Sequence, residues 1–232
     1  MRPGVSARGV PWAARHVGPG SVPSRADQEL DAFTPTLRAP PQAIYFLHIA
    51  KTGGTSVHRF LEAALPPGRM SPVRTWDDFA RLDPEARGRY QVFSAHLMDS
   101  LEPYFGSALA TVTLLRDPVE RTVSHYAHVA RDAASPLHAL AQRLSFAEFC
   151  RHPDARWLIE NYQARQLAGR FDDALALAIS TRSSEVARLG VAATLERMLA
   201  ECFDDADVLR ARASARLNSC VAVGVTVRLD DT

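Results

Sequence analysis

Apolar residues gather in four short runs along the chain, and each run predicts a β-strand. The first run, residues 43–49, is rich in aromatic and β-branched side chains, as in strands that are buried on both faces. Residues 91–95 and 110–115 repeat this pattern, and residues 221–227 form a late run. All four runs are shorter than a membrane-spanning helix requires, so we expect no stable membrane anchoring.

Between these runs, apolar positions recur at helical spacing. Val57, Phe60 and Leu61 predict a helix directly after the first strand, and Ser145 and Glu148 have the spacing of a capping box at a helix start. Longer helices are predicted over residues 155–168, 171–179 and 185–203. Strands that alternate with helices predict a P-loop-like three-layer α/β fold, in which helices flank a central, mainly parallel sheet.

The helix after the third strand has a well-marked start. Asp117 suits the N-cap position, Pro118 suits the first helical position, and Glu120 would close a capping box. The same helix is predicted to bury a stripe formed by Val119, Val123, Tyr126 and Ala130.

Composition separates the chain into a tail and a domain. Residues 1–41 are rich in Pro, Gly, Ser and Arg and show no sustained period, which predicts a disordered N-terminal tail. Residues 42–232 are predicted to form one domain, because 47% of the chain is hydrophobic and 23% is charged, as in ordinary globular proteins.

Charge and cysteine content exclude several classes of function. The net charge is +1, from 27 basic and 26 acidic residues, which argues against a dedicated nucleic-acid-binding protein and requires any anion site to be local. The three cysteines are widely spaced and form no C-x-x-C pair, so neither a disulfide framework nor a zinc site is predicted. No residue cluster has metal-ligand spacing, and we expect no bound metal.

The loop after the first strand has the residue types of an anion site. It contains the only lysine of the chain, two glycines and three hydroxyl residues: Lys51, Thr52, Gly53, Gly54, Thr55 and Ser56. Glycines let the backbone approach a ligand closely, and the following helix N-terminus offers N–H donors to a phosphate. The spacing differs from a Walker A motif, and an ordinary glycine turn is the alternative interpretation.

A second candidate site follows the third strand, in the sequence LLRDPVERTVSHY. Arg116 stands at the strand end, where α/β proteins place their ligands, and Ser124 lies two turns into the next helix. Together they could hold one phosphate through charge-assisted hydrogen bonds. The alternative is an Arg–Asp pair with a structural role and a surface serine.

These two segments together resemble the cofactor site of sulfotransferases. FLHIAKTGGTS is similar to the 5′-phosphosulfate loop, and LLRDPVERTVSHY to the 3′-phosphate motif, of the branch that contains heparan sulfate 2-O-sulfotransferases and their bacterial relatives. The resemblance covers about residues 43–230. It implies transfer of a sulfuryl group from 3′-phosphoadenosine 5′-phosphosulfate (PAPS) to an acceptor hydroxyl, expected on a carbohydrate.

The resemblance also implies roles for individual residues. Lys51 would neutralise the oxygen that bridges sulfur and phosphorus, residues 52–56 would hold the 5′-phosphate, and Arg116 and Ser124 would hold the 3′-phosphate. His96 follows the second strand, where this family places its general base, and a neutral imidazole can accept the proton of an alcohol. His48 is the second candidate for this role.

Other polar residues receive weaker assignments. Asn161, Gln163 and Arg165 share a predicted helix and could contact the acceptor, although an ordinary polar helix surface explains them as well. His125 and His128 are interpreted as surface or packing residues of the helix that carries Ser124. The absence of an anchor, unlike in the Golgi members of the family, leads us to expect a bacterial cytoplasmic enzyme.

The C-terminus departs from the family pattern. Val227 stands where the family usually has a glutamate, and the chain ends at Thr232 whereas relatives continue. We therefore expect an incomplete domain that binds the nucleotide weakly and turns over poorly. Two alternatives stay open, namely a nucleotide-binding P-loop or kinase-like protein and a catalytically silent, truncated sulfotransferase homologue.

Overall fold

A computed structural model of the chain describes residues 43–98, 101–105, 109–169, 182–202 and 205–226. All of these residues belong to one compact unit, Leu37–Thr232. The predicted tail, residues 1–41, and the predicted helix over residues 171–179 lie outside the described residues.

The described residues form a three-layer α/β fold around a four-stranded sheet. The strands are β1 (Ala43–Leu47), β2 (Val92–Ala95), β3 (Leu109–Arg116) and β4 (Ala222–Thr226). Their order is β2-β1-β3-β4, and all three pairings are parallel. The four strands predicted from apolar runs are therefore confirmed, as is the α/β class.

Helices fill the connections between the strands. In chain order they are α1 (Gly54–Ala64), α2 (Trp76–Arg81), α3 (Pro84–Arg87), α4 (Glu102–Phe105), α5 (Pro118–Arg131), α6 (His138–Arg143), α7 (Phe146–Arg151), α8 (Arg156–Ile159), α9 (Tyr162–Ala168), α10 (Ser183–Leu189), α11 (Val191–Cys202) and α12 (Ala206–Ser219). A 3₁₀ turn, Pro153–Ala155, precedes α8. The capping box at the start of α7 is formed as predicted, because the Ser145 hydroxyl accepts from the Glu148 amide and the Glu148 carboxylate accepts from the Ser145 amide.

The two faces of β1 have different environments. Tyr45 and Leu47 belong to the large hydrophobic core, which includes buried residues of β2, α5, α7, α9 and α12. Residues 46 and 48 alternate to the opposite face of the sheet. There, His48 packs against Gly54 of α1. The second face therefore brings a histidine directly against the start of α1.

The predicted buried stripe of α5 is wrong at two positions. Val119 and Val123 are 65% and 46% exposed, whereas Arg121, Thr122 and Val129 are buried. The Arg121 guanidinium donates to the Leu158 carbonyl and lies 4.1 Å from the centre of the Tyr162 ring. These partners stabilise the buried charge, and hydrophobicity alone does not predict which face of a helix will find such partners.

Two predicted long helices are each divided in the structure. Asn161 has a φ of 50° and separates α8 from α9 within the predicted helix 155–168. Gly190 has a φ of 82° and separates α10 from α11. The helix α12 was not predicted, because its buried positions are Leu209, Ala213 and Arg216, which do not form a strong apolar stripe.

Candidate functional site

Three strands end at the same edge of the sheet, and a predicted site residue lies at the end of each strand or just after it. Because β1, β2 and β3 are parallel, their carboxyl ends lie side by side, which brings together Lys51, His96 and Arg116. Arg116 Nη1 lies 3.5 Å from the Lys51 carbonyl oxygen. The two candidate anion segments, 65 residues apart in sequence, are therefore in contact.

The Lys51 loop, residues 51–56, turns sharply between β1 and α1. Lys51 has a φ of 69° and Gly53 a φ of 89°, both in the left-handed region that non-glycine residues rarely adopt. The Thr52 hydroxyl donates to the Ile49 carbonyl (2.9 Å), and the Thr52 carbonyl accepts from the Thr226 hydroxyl. The Thr52 side chain is fully buried, and its hydrogen bond stabilises the turn of the loop.

The start of α1 carries no side-chain cap. Gly53 occupies the N-cap position, so no side-chain oxygen accepts from the first amides of the helix, and the side chains of Thr55 and Ser56 are exposed on the first turn. A Cβ atom at Gly54 would lie 2.0 Å from the His48 ring, so the second glycine is required by close packing. This helix start can offer backbone donors and hydroxyls to an anion.

The end of β3 is held by side chains. The Gln163 amide accepts from the Arg116 backbone N–H (2.9 Å) and donates to the Arg116 carbonyl (2.7 Å). Arg116 Nε donates to the Glu120 carboxylate at 3.4 Å. Asp117 caps α5 as predicted, but Glu120 pairs with Arg116 instead of closing a capping box. Ser124 lies one turn beyond Glu120, on the same helix face as this pair.

The Lys51 ammonium lies in a region that also contains the positive charges of two arginines. Burial lowers the pKa of Lys51, and the positive charges of Arg131 and then Arg116 lower it further. Arg131 lies seven residues after Ser124 and therefore on the same face of α5. Arg131 was not among the predicted site residues, although its spacing of seven residues from Ser124 places it on the same helix face. Lys51, Arg116 and Arg131 thus make this region positively charged, although the Glu120 carboxylate offsets part of the Arg116 charge.

The predicted base, His96, lies at the exposed end of β2. Its ring stacks on the His48 ring with centroids 4.3 Å apart, and the His48 ring in turn stacks on Phe46 at 5.5 Å. Neighbouring protein atoms that displace water lower the pKa of His96, and the Arg74 charge lowers it as well. Partial burial, with the charges of nearby groups, lowers the pKa of His48 to about 3. Both imidazoles are therefore neutral at pH 7.

The three residues assigned to an acceptor differ in their surroundings. Gln163 holds the end of β3, as described above. The Arg165 side chain is buried and donates to the carbonyls of Glu160 (2.9 Å) and Glu196 (3.1 Å), so these donors point into the protein. Asn161 is exposed and lies beside two cavities.

The first cavity has a volume of about 580 Å³ and lies between α5, α7 and α9. Its lining includes Val119, Phe146, Ile159, Asn161 and Gln163. The second cavity, about 340 Å³, lies between α8, α11 and α12. The lining of neither cavity includes Lys51, His96 or Arg116. The first cavity, through Gln163, adjoins the end of β3.

His125 belongs to a buried polar cluster behind the site. Its Nδ1 accepts from Arg121 Nη1 (2.9 Å), and its ring meets the Tyr162 ring edge-on. Burial and the Arg121 charge lower the pKa of His125 to about 3. The Tyr162 hydroxyl donates to the Glu196 carboxylate (2.7 Å), and burial raises the pKa of Glu196 to about 7. This cluster packs α5 against α9 and α11.

No group of three or more histidine, cysteine, aspartate or glutamate side chains within the described residues is arranged to hold a metal ion. Among the helices in the described part of the chain, none has the length and apolarity needed to cross a membrane. In comparisons with known proteins, no family model matches the chain and no curated protein matches it.

Proposed function

We propose that the chain is a sulfotransferase that moves a sulfuryl group from PAPS to a hydroxyl group of a carbohydrate acceptor. The observation that carries the proposal is the meeting of Lys51 and Arg116 at one edge of a parallel sheet, beside an uncapped helix start. Two anion-binding segments in contact suit a ligand with two separate phosphate groups. The residue pattern of both segments, which resembles the sulfotransferase cofactor site, supports the same donor.

The residues fit the two ends of such a donor. The amides at the start of α1, with the Thr55 and Ser56 hydroxyls, suit the 5′-phosphate, because no side chain caps this helix start. Arg116 and Ser124 suit the 3′-phosphate. The Glu120 carboxylate and the Gln163 amide orient the arginine before any ligand binds.

The chemistry needs one base and one cation. As the acceptor oxygen forms its bond to sulfur, the bond between sulfur and the bridging oxygen breaks, and its electron pair stays on the leaving 5′-phosphate. Lys51 neutralises the charge that develops on this oxygen. His96, neutral at pH 7, takes the proton of the acceptor hydroxyl. Positioning and charge stabilisation thus supply most of the rate enhancement, as in phosphoryl transfer.

The acceptor is proposed to approach from the His96 side of the sheet edge. Carbohydrate hydroxyls suit amide and imidazole partners, and Asn161 is the exposed amide among the three residues assigned to the acceptor. We place the reaction in the bacterial cytoplasm, in keeping with the resemblance to unanchored bacterial relatives.

Calorimetry tests the donor assignment directly. The full chain is titrated with 3′-phosphoadenosine 5′-phosphate, with adenosine 5′-monophosphate, which lacks the 3′-phosphate, and with ATP plus Mg²⁺. We expect the bisphosphate to bind at least tenfold more tightly than either control, and Arg116→Gln to remove this preference. Preference for ATP would support the kinase-like alternative and overturn the assignment.

Turnover then separates an enzyme from a silent binding protein. Transfer of labelled sulfate from PAPS is measured with a panel of oligosaccharides, for the native chain and for His96→Asn. We expect His96→Asn to lower turnover by about 10²- to 10⁴-fold, the usual contribution of a general base. Its affinity for the bisphosphate should stay unchanged. Nucleotide binding without any transfer of sulfate would support the alternative of a catalytically silent homologue.

A further inference from the structure

A short segment beside β2 supports the backbone that carries His96. Met70 forms an isolated parallel bridge with Val92, and the Ser71 amide donates to the Val92 carbonyl at 2.8 Å. Further along, the His96 amide donates to the Arg74 carbonyl at 3.2 Å. The segment from Met70 to Arg74 therefore runs along the outer edge of β2 and holds the position of the proposed base.

The Arg74 side chain ties this segment to α1. Its Nη1 donates to the carbonyls of Ser71 (3.0 Å) and Val73 (2.9 Å), and its Nη2 donates to His58 Nε2 (2.8 Å). A guanidinium can only donate, so His58 Nε2 accepts and its Nδ1 carries the hydrogen. That Nδ1 donates to the Ser94 hydroxyl at 3.0 Å. The chain of contacts thus returns to β2, two residues before His96.

The Arg74 charge also acts on the imidazoles around it. Displacement of water by neighbouring atoms lowers the pKa of His96, His48 and His58 most, and the Arg74 charge lowers each of them further. For His96, a hydrogen bond with the His48 backbone acts in the opposite direction.

Other charged groups face the same region. Lys51 lowers the pKa of His48, and Glu62 on α1 raises that of His58. The Asp78 carboxylate on α2 accepts from the backbone amide of Arg74 (3.0 Å). Among these groups, Arg74 is the charged side chain that acts on all three histidines.

We propose that Arg74 is a positioning residue for His96, because its carbonyl accepts from the His96 amide and its side chain joins the edge of β2 to α1 through His58. The inference rests on the proposed function, in which His96 is the general base. As a consequence, the His96 imidazole stays neutral at pH values at which a free histidine side chain is already protonated. Arg74, His58 and Ser94 were not among the site residues predicted from the sequence.

The experiment compares Arg74→Gln, Arg74→Lys and, as a control, Arg69→Gln. Gln removes the charge but can still donate to His58, whereas Lys keeps the charge and loses the planar fork that reaches two carbonyls. Arg69 is an exposed arginine near the same segment whose side chain donates to the Arg89 carbonyl. The His96 imidazole is titrated by NMR in the full chain, with His96→Asn to assign its signal, and the pH dependence of kcat/KM is recorded.

We expect Arg74→Gln to raise the NMR pKa of His96 and to lower kcat/KM more at pH 6 than at pH 8, because a larger fraction of the imidazole is then protonated at the lower pH. Arg74→Lys should keep the native titration but lower kcat severalfold, with unchanged affinity for 3′-phosphoadenosine 5′-phosphate. Arg69→Gln should match the native chain in every measurement.

An unchanged His96 titration in a folded Arg74→Gln variant would overturn the inference. If that variant does not fold, native kcat in Arg74→Lys would overturn it instead. The NMR titration needs no turnover, so a chain that shows the shift but transfers no sulfate contradicts the proposed function and leaves the effect of Arg74 on His96 established.

Discussion

Two helices, α1 and α5, begin at the same edge of the sheet. Their N-termini differ in whether a side chain caps the first backbone amides. The start of α1 has a glycine at the N-cap and no side-chain oxygen on its first amides. The start of α5 is closed, because the Asp117 carboxylate accepts from the amides of Val119 and Glu120, both at 2.9 Å. The first amides of α1 thus have no side-chain acceptor, whereas two of the first amides of α5 donate to the Asp117 carboxylate.

This difference shows where binding energy can come from in each segment. At α1, the helix dipole and the loop amides are directed to a ligand, and Lys51 adds a charge. At α5, Asp117 already satisfies the dipole, so an anion must be held by the side chains of Arg116 and Ser124. The first segment depends on backbone shape, and the second depends on the orientation of an arginine by Glu120 and Gln163.

The largest expected effect concerns the charge at the first segment. Lys51→Gln should lower turnover by about 10²- to 10³-fold, because it removes one preorganised donor from the leaving oxygen. The affinity for 3′-phosphoadenosine 5′-phosphate should change far less, since the backbone donors remain. Arg131→Gln is the matched control for loss of a nearby cation, and an equal loss of turnover in both variants would contradict a special role for Lys51.

The shape of the first segment is tested by Gly54→Ala. The added Cβ would meet the His48 ring at 2.0 Å, so we expect a loss of about 1–3 kcal/mol in the free energy of unfolding and weaker nucleotide binding. Gly88→Ala is the control, because no atom lies within 4 Å of its Cβ position. Denaturant unfolding and calorimetry measure both quantities, and a Gly54→Ala chain of native stability would show that the loop adapts.

The histidines of the two segments should make stability depend on pH in the same direction. The pKa values of His48 and His125 are lowered to about 3, so between about pH 3 and pH 6.5 the unfolded chain binds protons that the folded chain does not. Stability therefore falls as the pH drops from 6.5 towards 3. His125→Gln should flatten this slope by at most about 1.4 kcal/mol per pH unit, the value for one proton.

Glu196 acts in the opposite direction. Its pKa is raised to about 7, so the folded chain holds an extra proton between about pH 4.5 and pH 7, and stability falls as the pH rises through that window. Between about pH 4.5 and pH 6.5 this slope offsets that of one histidine, so urea unfolding of His125→Gln, in which His48 remains, should show a nearly flat pH dependence in that window. A native slope in that variant would mean that His125 is not kept neutral by its buried position.

The smallest effect concerns the cap at the second segment. Asp117→Ala should lower the free energy of unfolding by about 1 kcal/mol, the usual value for an N-cap, and should leave nucleotide affinity within a few-fold of native. Asp205→Ala is the matched control, because Asp205 caps α12 in the same way, by accepting from the amides of Asp207 and Val208. It should lower the free energy of unfolding by a similar amount. A large loss of nucleotide affinity in Asp117→Ala alone would mean that the closed helix start takes part in binding.

Local sequence was sufficient to predict the strands, the helix starts at Asp117 and Ser145, and the parallel α/β class. Apolar runs and caps act over a few residues, so their outcome depends little on the rest of the chain. The same holds for Lys51, Gly53 and Gly54, whose residue types already indicated a turn able to approach an anion.

Tertiary structure decided which polar groups face the site and which are buried. Arg121 and Arg165 are buried because they donate hydrogen bonds to backbone carbonyls, and Arg121 also stacks on the Tyr162 ring. Val119 and Val123, by contrast, are exposed. Arg74 gains its place beside His96 only when its segment pairs with the edge of β2. Such contacts join residues far apart in sequence, and no local pattern encodes the partner that compensates a buried charge.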